Sequence, residues 1–147
     1  MIKLDRGEFA RKLEQRRAQL FKNIHQVQNE AMFEGLKSLV TNSPESTGYY
    51  KANHYVLPTK ARSVPLVPGT RPSGQGSAHL EDSEVLTRGL AVLQHRKQGS
   101  NVTIANGVPY AGQIESGDLK TIGILNYARA AQVVNEHLKR NIVRATN

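Results

Sequence analysis

Cysteine and tryptophan are both absent from this chain of 147 residues. Without cysteine there is no disulfide, no thiolate nucleophile and no zinc site that depends on sulfur, the pattern of a protein made and used in a reducing compartment. Aromatics are scarce, three Phe and five Tyr, so the expected core is small. No apolar run approaches the roughly 20 residues of a membrane span. The opening residues Met1-Ile2-Lys3-Leu4-Asp5-Arg6 lead into a charged stretch, not the apolar run of an export signal. The expectation is a soluble intracellular product with no membrane partner, in which the sequon Asn101-Val102-Thr103 stays unglycosylated.

Positive charge, by contrast, is plentiful: 20 Lys and Arg against 12 Asp and Glu, a net charge of +8 and a pI near 10.0. That balance keeps nucleic acid among the candidate partners. The excess is nevertheless spread out. Residues 1–42 carry eight basic and five acidic groups, 43–80 four and one, 81–124 four and five, and 125–147 four and one. Arg11, Lys12, Arg16 and Arg17 cluster early and Lys139, Arg140 and Arg144 late, but Glu8, Glu14 and Glu136 interleave with them. These read as solvated basic faces, since a nucleic-acid-binding tail concentrates like charge. With no zinc-finger spacing, basic zipper or RNA-binding sheet motif, sequence-specific readout is not expected. Non-specific contact with a phosphate backbone needs only positive charge.

From Phe9 to about Val40 the residues Phe9, Leu13, Leu20, Ile24, Val27, Ala31, Leu36 and Leu39 recur at helical spacing, and Thr41-Asn42-Ser43-Pro44 marks the stop. A helix of about 30 residues spans roughly 45 Å, more than a small core covers, so part of its apolar stripe is expected to meet another chain. Aromatic and β-branched content predicts a strand over Tyr49–Leu57. Pro58, Pro65, Pro68 and Pro72, with Gly69, Gly74 and Gly76, erase any period over 58–80, predicting an extended loop or arm that orders on a partner. Acids at Glu81, Asp82 and Glu84 and bases at His95, Arg96 and Lys97 suit the two ends of a helix over about 82–97. Its apolar side is Val85, Leu86, Leu90 and Leu93, weakened by Gly89. A short strand is expected at 101–105. At the turn pair Asn106-Gly107 the chain either continues as a hairpin or, the preferred reading, Pro109 starts a short helix through Tyr110, Ala111, Ile114 and Glu115 that Gly117 ends. Leu125, Ala128, Ala131, Val134, Leu138 and Ile142 predict a last amphipathic helix from about 124 to 144. The expected fold is α+β and a single domain over 1–147: two long amphipathic helices packed on a small, mainly antiparallel sheet, with a long Pro/Gly-rich loop.

No catalytic set is expected, and the enzyme class is set aside. The histidines His25, His54, His79, His95 and His137 fall in different segments without metal-pair spacing, so neither a metal nor a cofactor is expected. Ser46, His54 and Asp82 supply the residue types of a hydrolase without the spacing.

Two stretches carry more information together. The first is Ser43-Pro44-Glu45-Ser46-Thr47-Gly48-Tyr49-Tyr50-Lys51-Ala52-Asn53-His54; the second runs from Val102-Thr103-Ile104-Ala105-Asn106-Gly107-Val108-Pro109-Tyr110-Ala111 to Gly112-Gln113-Ile114-Glu115-Ser116-Gly117. They resemble the neck and tail-completion proteins of tailed bacteriophages, the family that includes minor tail protein Z. Ser43, Pro44, Thr47, Gly48, Lys51 and Asn53 match its first motif. Ile104, Asn106, Pro109, Tyr110, Ala111, Glu115 and Gly117 match its second. The chain departs from the family at Lys51, where arginine is usual, and at His54, where an aromatic is usual. The resemblance implies a structural virion protein that forms a ring completing the tail tube and joining it to the head connector. The implied partners are other copies of itself in a ring of six, or of twelve at the neck, the tail tube protein, the head-completion and connector proteins, and genomic DNA in the lumen through non-specific contact. The implied place is the virion, and the host cytoplasm during assembly. The alternative reading is a basic DNA-binding phage protein without catalytic activity.

Overall fold

The computed structural model describes residues 5–44, 48–58, 61–67, 80–117 and 123–146. Helix α1 runs Arg6–Thr41 and is followed by the single turn α2 (Tyr49–Ala52), strand β1 (His54–Pro58), α3 (Asp82–Gln94), β2 (Val102–Asn106), α4 (Ala111–Ser116) and α5 (Asn126–Thr146). This is an α+β fold: two long helices packed against a two-stranded antiparallel sheet.

α1 begins where Asp5 accepts a hydrogen bond from the Glu8 amide at 3.0 Å, satisfying one of the orphan donors of a helix start. It ends where the Asn42 side chain returns to the Ser38 carbonyl at 2.9 Å, just before Pro44. Its 36 residues span about 54 Å. α5 lies antiparallel along it, for Asn126 Nδ2 donates to the Leu39 carbonyl at 3.2 Å and Asn23 Nδ2 to the Ala145 carbonyl at 3.3 Å. The helices approach closely at Gly35, where a Cβ would stand 2.5 Å from Val134 Cγ2. Only from Val27 onward does α1 bury side chains.

The main core is Leu36, Val40, Val56, Val85 and Leu93, drawn from α1, β1 and α3. Gly89 is the reason α3 fits: a Cβ there would overlap Leu36 Cδ2. The residue that weakens α3 as a helix thus lets it sit on α1. In the sheet His54 pairs with Asn106, Val56 with Ile104 and Pro58 with Val102. A second cluster of Tyr49, Ala52 and Val108 closes the end near α4.

Several expectations shift. Tyr49–Leu57 is not one strand: Gly48 takes the left-handed conformation (φ 68°) and its carbonyl accepts from the Ala52 amide at 2.9 Å, winding 49–52 into a helical turn that buries both tyrosine rings. Side-chain burial overrides β propensity there. α3 stops at Gln94, and Arg96 reaches sideways instead of facing the helix end. Its Nε donates to Asn29 Oδ1 at 2.8 Å and an Nη to Gln28 Oε1 at 3.0 Å, clamping the end of α3 to α1. Pro109 sits two residues ahead of α4, with Tyr110 as the cap residue. The buried face of α5 is Asn126, Ala130 and Ala145, while Leu125, Ala128 and Ala131 are exposed, so the expected stripe is rotated. Of the 58–80 loop, 59–60 and 68–79 lie outside the described residues. Within 61–67, mostly exposed, Val64 packs on Gly107 and the Val67 amide donates to Asn53 Oδ1 at 2.7 Å. No helix among the described residues is long and apolar enough to cross a membrane.

Candidate functional site

The β1–β2 pairing brings the two motifs to one place, with His54 opposite Asn106. The His54 ring, 1% exposed, is the hub. Its Nε2 lies 2.7 Å from Ser43 Oγ and its Nδ1 2.9 Å from the Tyr127 hydroxyl, while the Tyr50 ring meets it edge-on at 4.8 Å. The proton positions follow from the neighbours. Ser43 Oγ is 2.6 Å from the Leu39 carbonyl, which can only accept, so the Ser43 hydroxyl donates there. His54 Nε2 therefore donates to Ser43, and Nδ1 accepts from Tyr127. Burial, and after it the Arg88 charge, lowers the His54 pKa from 6.5 to about 3, keeping the ring neutral as this wiring requires. The polarity is the reverse of a catalytic Ser–His pair, in which the imidazole takes the serine proton. Burial also pushes the Tyr127 phenol well above its ordinary range, with Tyr50 and Glu115 adding to the effect.

Asn106 tightens the hub from β2. Its Nδ2 donates to the Tyr50 carbonyl at 2.8 Å and its Oδ1 accepts from the Val108 amide at 3.0 Å. Asn53 does the same for the first motif, donating to the Tyr49 carbonyl at 2.7 Å while its Oδ1 holds Val67. Arg88 on α3 donates to the Ala52 and His54 carbonyls, both at 2.8 Å, and stacks 3.6 Å from the centre of the Tyr55 ring. Lys51, nearly buried, pairs with Asp82 at 2.9 Å where α3 begins. Glu84 accepts from the Glu81 amide at 2.7 Å, so these acids do serve the start of α3.

Glu115 acts across elements. Its two carboxylate oxygens accept the Tyr127 and Ala128 amides at 2.8 and 3.1 Å, capping α5. Gly117 (φ 82°) ends α4, and the backbone at Ile124 and Leu125 then pairs with Ile114 and Glu115 at 3.0 Å. Gly123 fits against that backbone only because it lacks a Cβ. Ile104 joins the main core and Tyr110 sits 6.3 Å from Tyr49, with Ala111 on the same cluster. Pro44 and Pro109 are exposed turn residues. Thr47, like Ser46, lies outside the described residues.

Ser43, Lys51, Asn53, Asn106 and Glu115 thus act as internal fastenings around one hub. Asn126, Tyr127 and Arg88, which share that hub, carry no spacing signal in the sequence. His54 could be singled out in the sequence as a histidine within the first motif, but not as the hub. Among the described residues no three His, Cys, Asp or Glu side chains are grouped to hold a metal ion. No family model, curated protein or solved structure matches the chain.

Proposed function

We propose that this chain is a structural virion protein of a phage neck, one subunit of a ring that completes the tail tube and joins it to the head connector. What supports this role is the convergence of both motifs on a buried fastening. Two stretches about fifty residues apart interlock through His54 and Asn106, and their polar groups are spent on caps, turns and carbonyls inside the domain. Side chains used that way shape a subunit for assembly. Among them the Ser43–His54 pair is wired against nucleophile activation. In this reading the copies contact one another, the tail tube and the connector through outer faces, and the basic surface lies against acidic neighbours or DNA passing through the ring.

Native mass measurement and electron microscopy of the purified chain test the proposal. Closed rings are expected. A protein that stays monomeric at every concentration, and that does not bind tail tubes or connectors, overturns it.

A further inference from the structure

The stripe of α1 that packs on α5 does not stop where α5 stops. α5 ends beside Arg16, Leu20 and Asn23, with the Ala145 carbonyl bonded to Asn23. Eighteen residues make five full helical turns, so Phe9 stands on the angular position of Val27 and Leu13 on that of Ala31. Val27 and Ala31 are 9% and 0% exposed, whereas Phe9 and Leu13 are 56% and 55% exposed. The first turns of α1 therefore present a core-facing stripe that no described residue covers.

A second uncovered apolar feature lies on the same chain. Met32, Gly35, Leu39, Ile104, Ala131 and Val134 line an open groove of about 240 Å³ between α1, α5 and β2. It continues past Met32 and Val134 into a further 210 Å³ bordered by Leu138 and Val102 on one side and by the polar Gln28, Arg96, Ser100 and Asn101 on the other. Along α5 it runs from Tyr127 to Leu138, eleven residues or about 16 Å. The uncovered apolar anchors Phe9 and Leu13 lie four residues, about 6 Å, apart and fit within that length.

We propose that the N-terminal turns of α1 dock in the α1–α5–β2 groove of a second copy of this chain. The occupant must be another copy because Phe9 and Met32 are held about 35 Å apart on one continuous helix. No arm can reach its own groove. Joining two unlike patches is a head-to-tail contact, and repetition of such a contact closes a ring or runs into a filament. The inference rests on the ring reading above and names its interface. Charge leaves a signature: residues 5–20 carry five basic and three acidic groups and α5 carries four and one, so both faces stay net positive despite pairs such as Lys12–Glu8 and Arg17–Glu14. Like charges approach, so added salt strengthens this contact, whereas it weakens binding to DNA or to an acidic partner.

The absence of cysteine makes the test clean. In a Leu13→Cys/Ala131→Cys double variant of the full chain, a short bis-maleimide is expected to give a ladder of linked species beyond the dimer, with greater yield at higher salt. Neither single variant is expected to link. Dimers from a single variant, which would mean arm-to-arm or groove-to-groove pairing, overturn the proposal, as does the absence of a ladder at all salt concentrations. Leu13→Asp is expected to leave the helical circular dichroism intact and weaken self-association roughly 10- to 100-fold. Unchanged association by sedimentation is a second way to overturn the contact. Electron microscopy of the unlinked protein separates this proposal from the one it rests on. A ladder with open filaments keeps the contact and removes the ring, and closed rings without a ladder do the opposite.

Discussion

His54 is a buried ring that packs edge-on with Tyr50 and behaves as an aromatic with two hydrogen-bonding edges. Replacing Ser43 by alanine leaves the buried Nε2–H without its acceptor and is expected to cost about 1–3 kcal/mol in denaturant unfolding. The ring also makes stability depend on pH. The unfolded chain takes up a proton on this histidine at 6.5, the folded chain only at about 3. Between those values the unfolded state binds more protons, so the contribution is complete above pH 6.5 and is lost as pH falls below it. The loss is about 1.4 kcal/mol per pH unit. His25, lowered by burial and by Arg96, adds in the same direction. Melting curves between pH 7.5 and 5 should show this slope, and a folded His54→Gln variant should retain only the smaller remainder. Position 54 could be singled out in the sequence, but its proton wiring could not, because Tyr127 and Leu39 approach it from α5 and α1.

Glycines show how far an element can be read in isolation. Helix propensity alone makes Gly89 a weakness in α3 and Gly112 a weakness in α4, each worth about 1 kcal/mol against alanine. Space separates them. A Cβ at 89 would overlap Leu36, so Gly89→Ala is expected to destabilise by about 1–3 kcal/mol despite the better propensity. Nothing lies within 4 Å of a Cβ at 112, so Gly112→Ala should stabilise by a few tenths to about 1 kcal/mol. Thermal unfolding of the two variants should move in opposite directions. The long helices were legible because their apolar period persists over many turns, and the strand at 102–106 because it alternates. The turn at 49–52 was not, since Gly48 and the burial of two tyrosines outweigh local preference. Nor was the face of α5: Asn126 is buried by bonding Leu39, which displaces Leu125 into solvent. Glu115 could be flagged by motif spacing, yet its work lies on another element. Glu115→Ala should remove the cap of α5 and lower stability by about 1 kcal/mol, read as a drop in melting temperature.

At the scale of the molecule, the question is what holds the first turns of α1 as a helix. Their side chains bury nothing, and the first buried position is Val27. Isolated helices shorter than about 12–15 residues are marginal in water. Local support includes the Asp5 cap and exposed ion pairs such as Lys12–Glu8 at 3.0 Å, and such pairs contribute only a few tenths of a kcal/mol. In the monomer the amides of residues 9–15 should therefore exchange with solvent through fraying, far faster than those near Leu36 in the core. Removal of residues 5–14 together with what precedes them should leave the melting temperature of the monomer almost unchanged, since every described side chain it takes away is exposed. Docking of the arm in a neighbour's groove reverses the first expectation. Hydrogen exchange on assembled protein should then show strong protection at 9–15, together with new protection in β2 and the middle of α5. The truncated chain should show neither assembly nor the new protection in β2 and α5. Protection of 9–15 in dilute monomer would mean that the arm is stable alone, and its helix would then owe nothing to assembly.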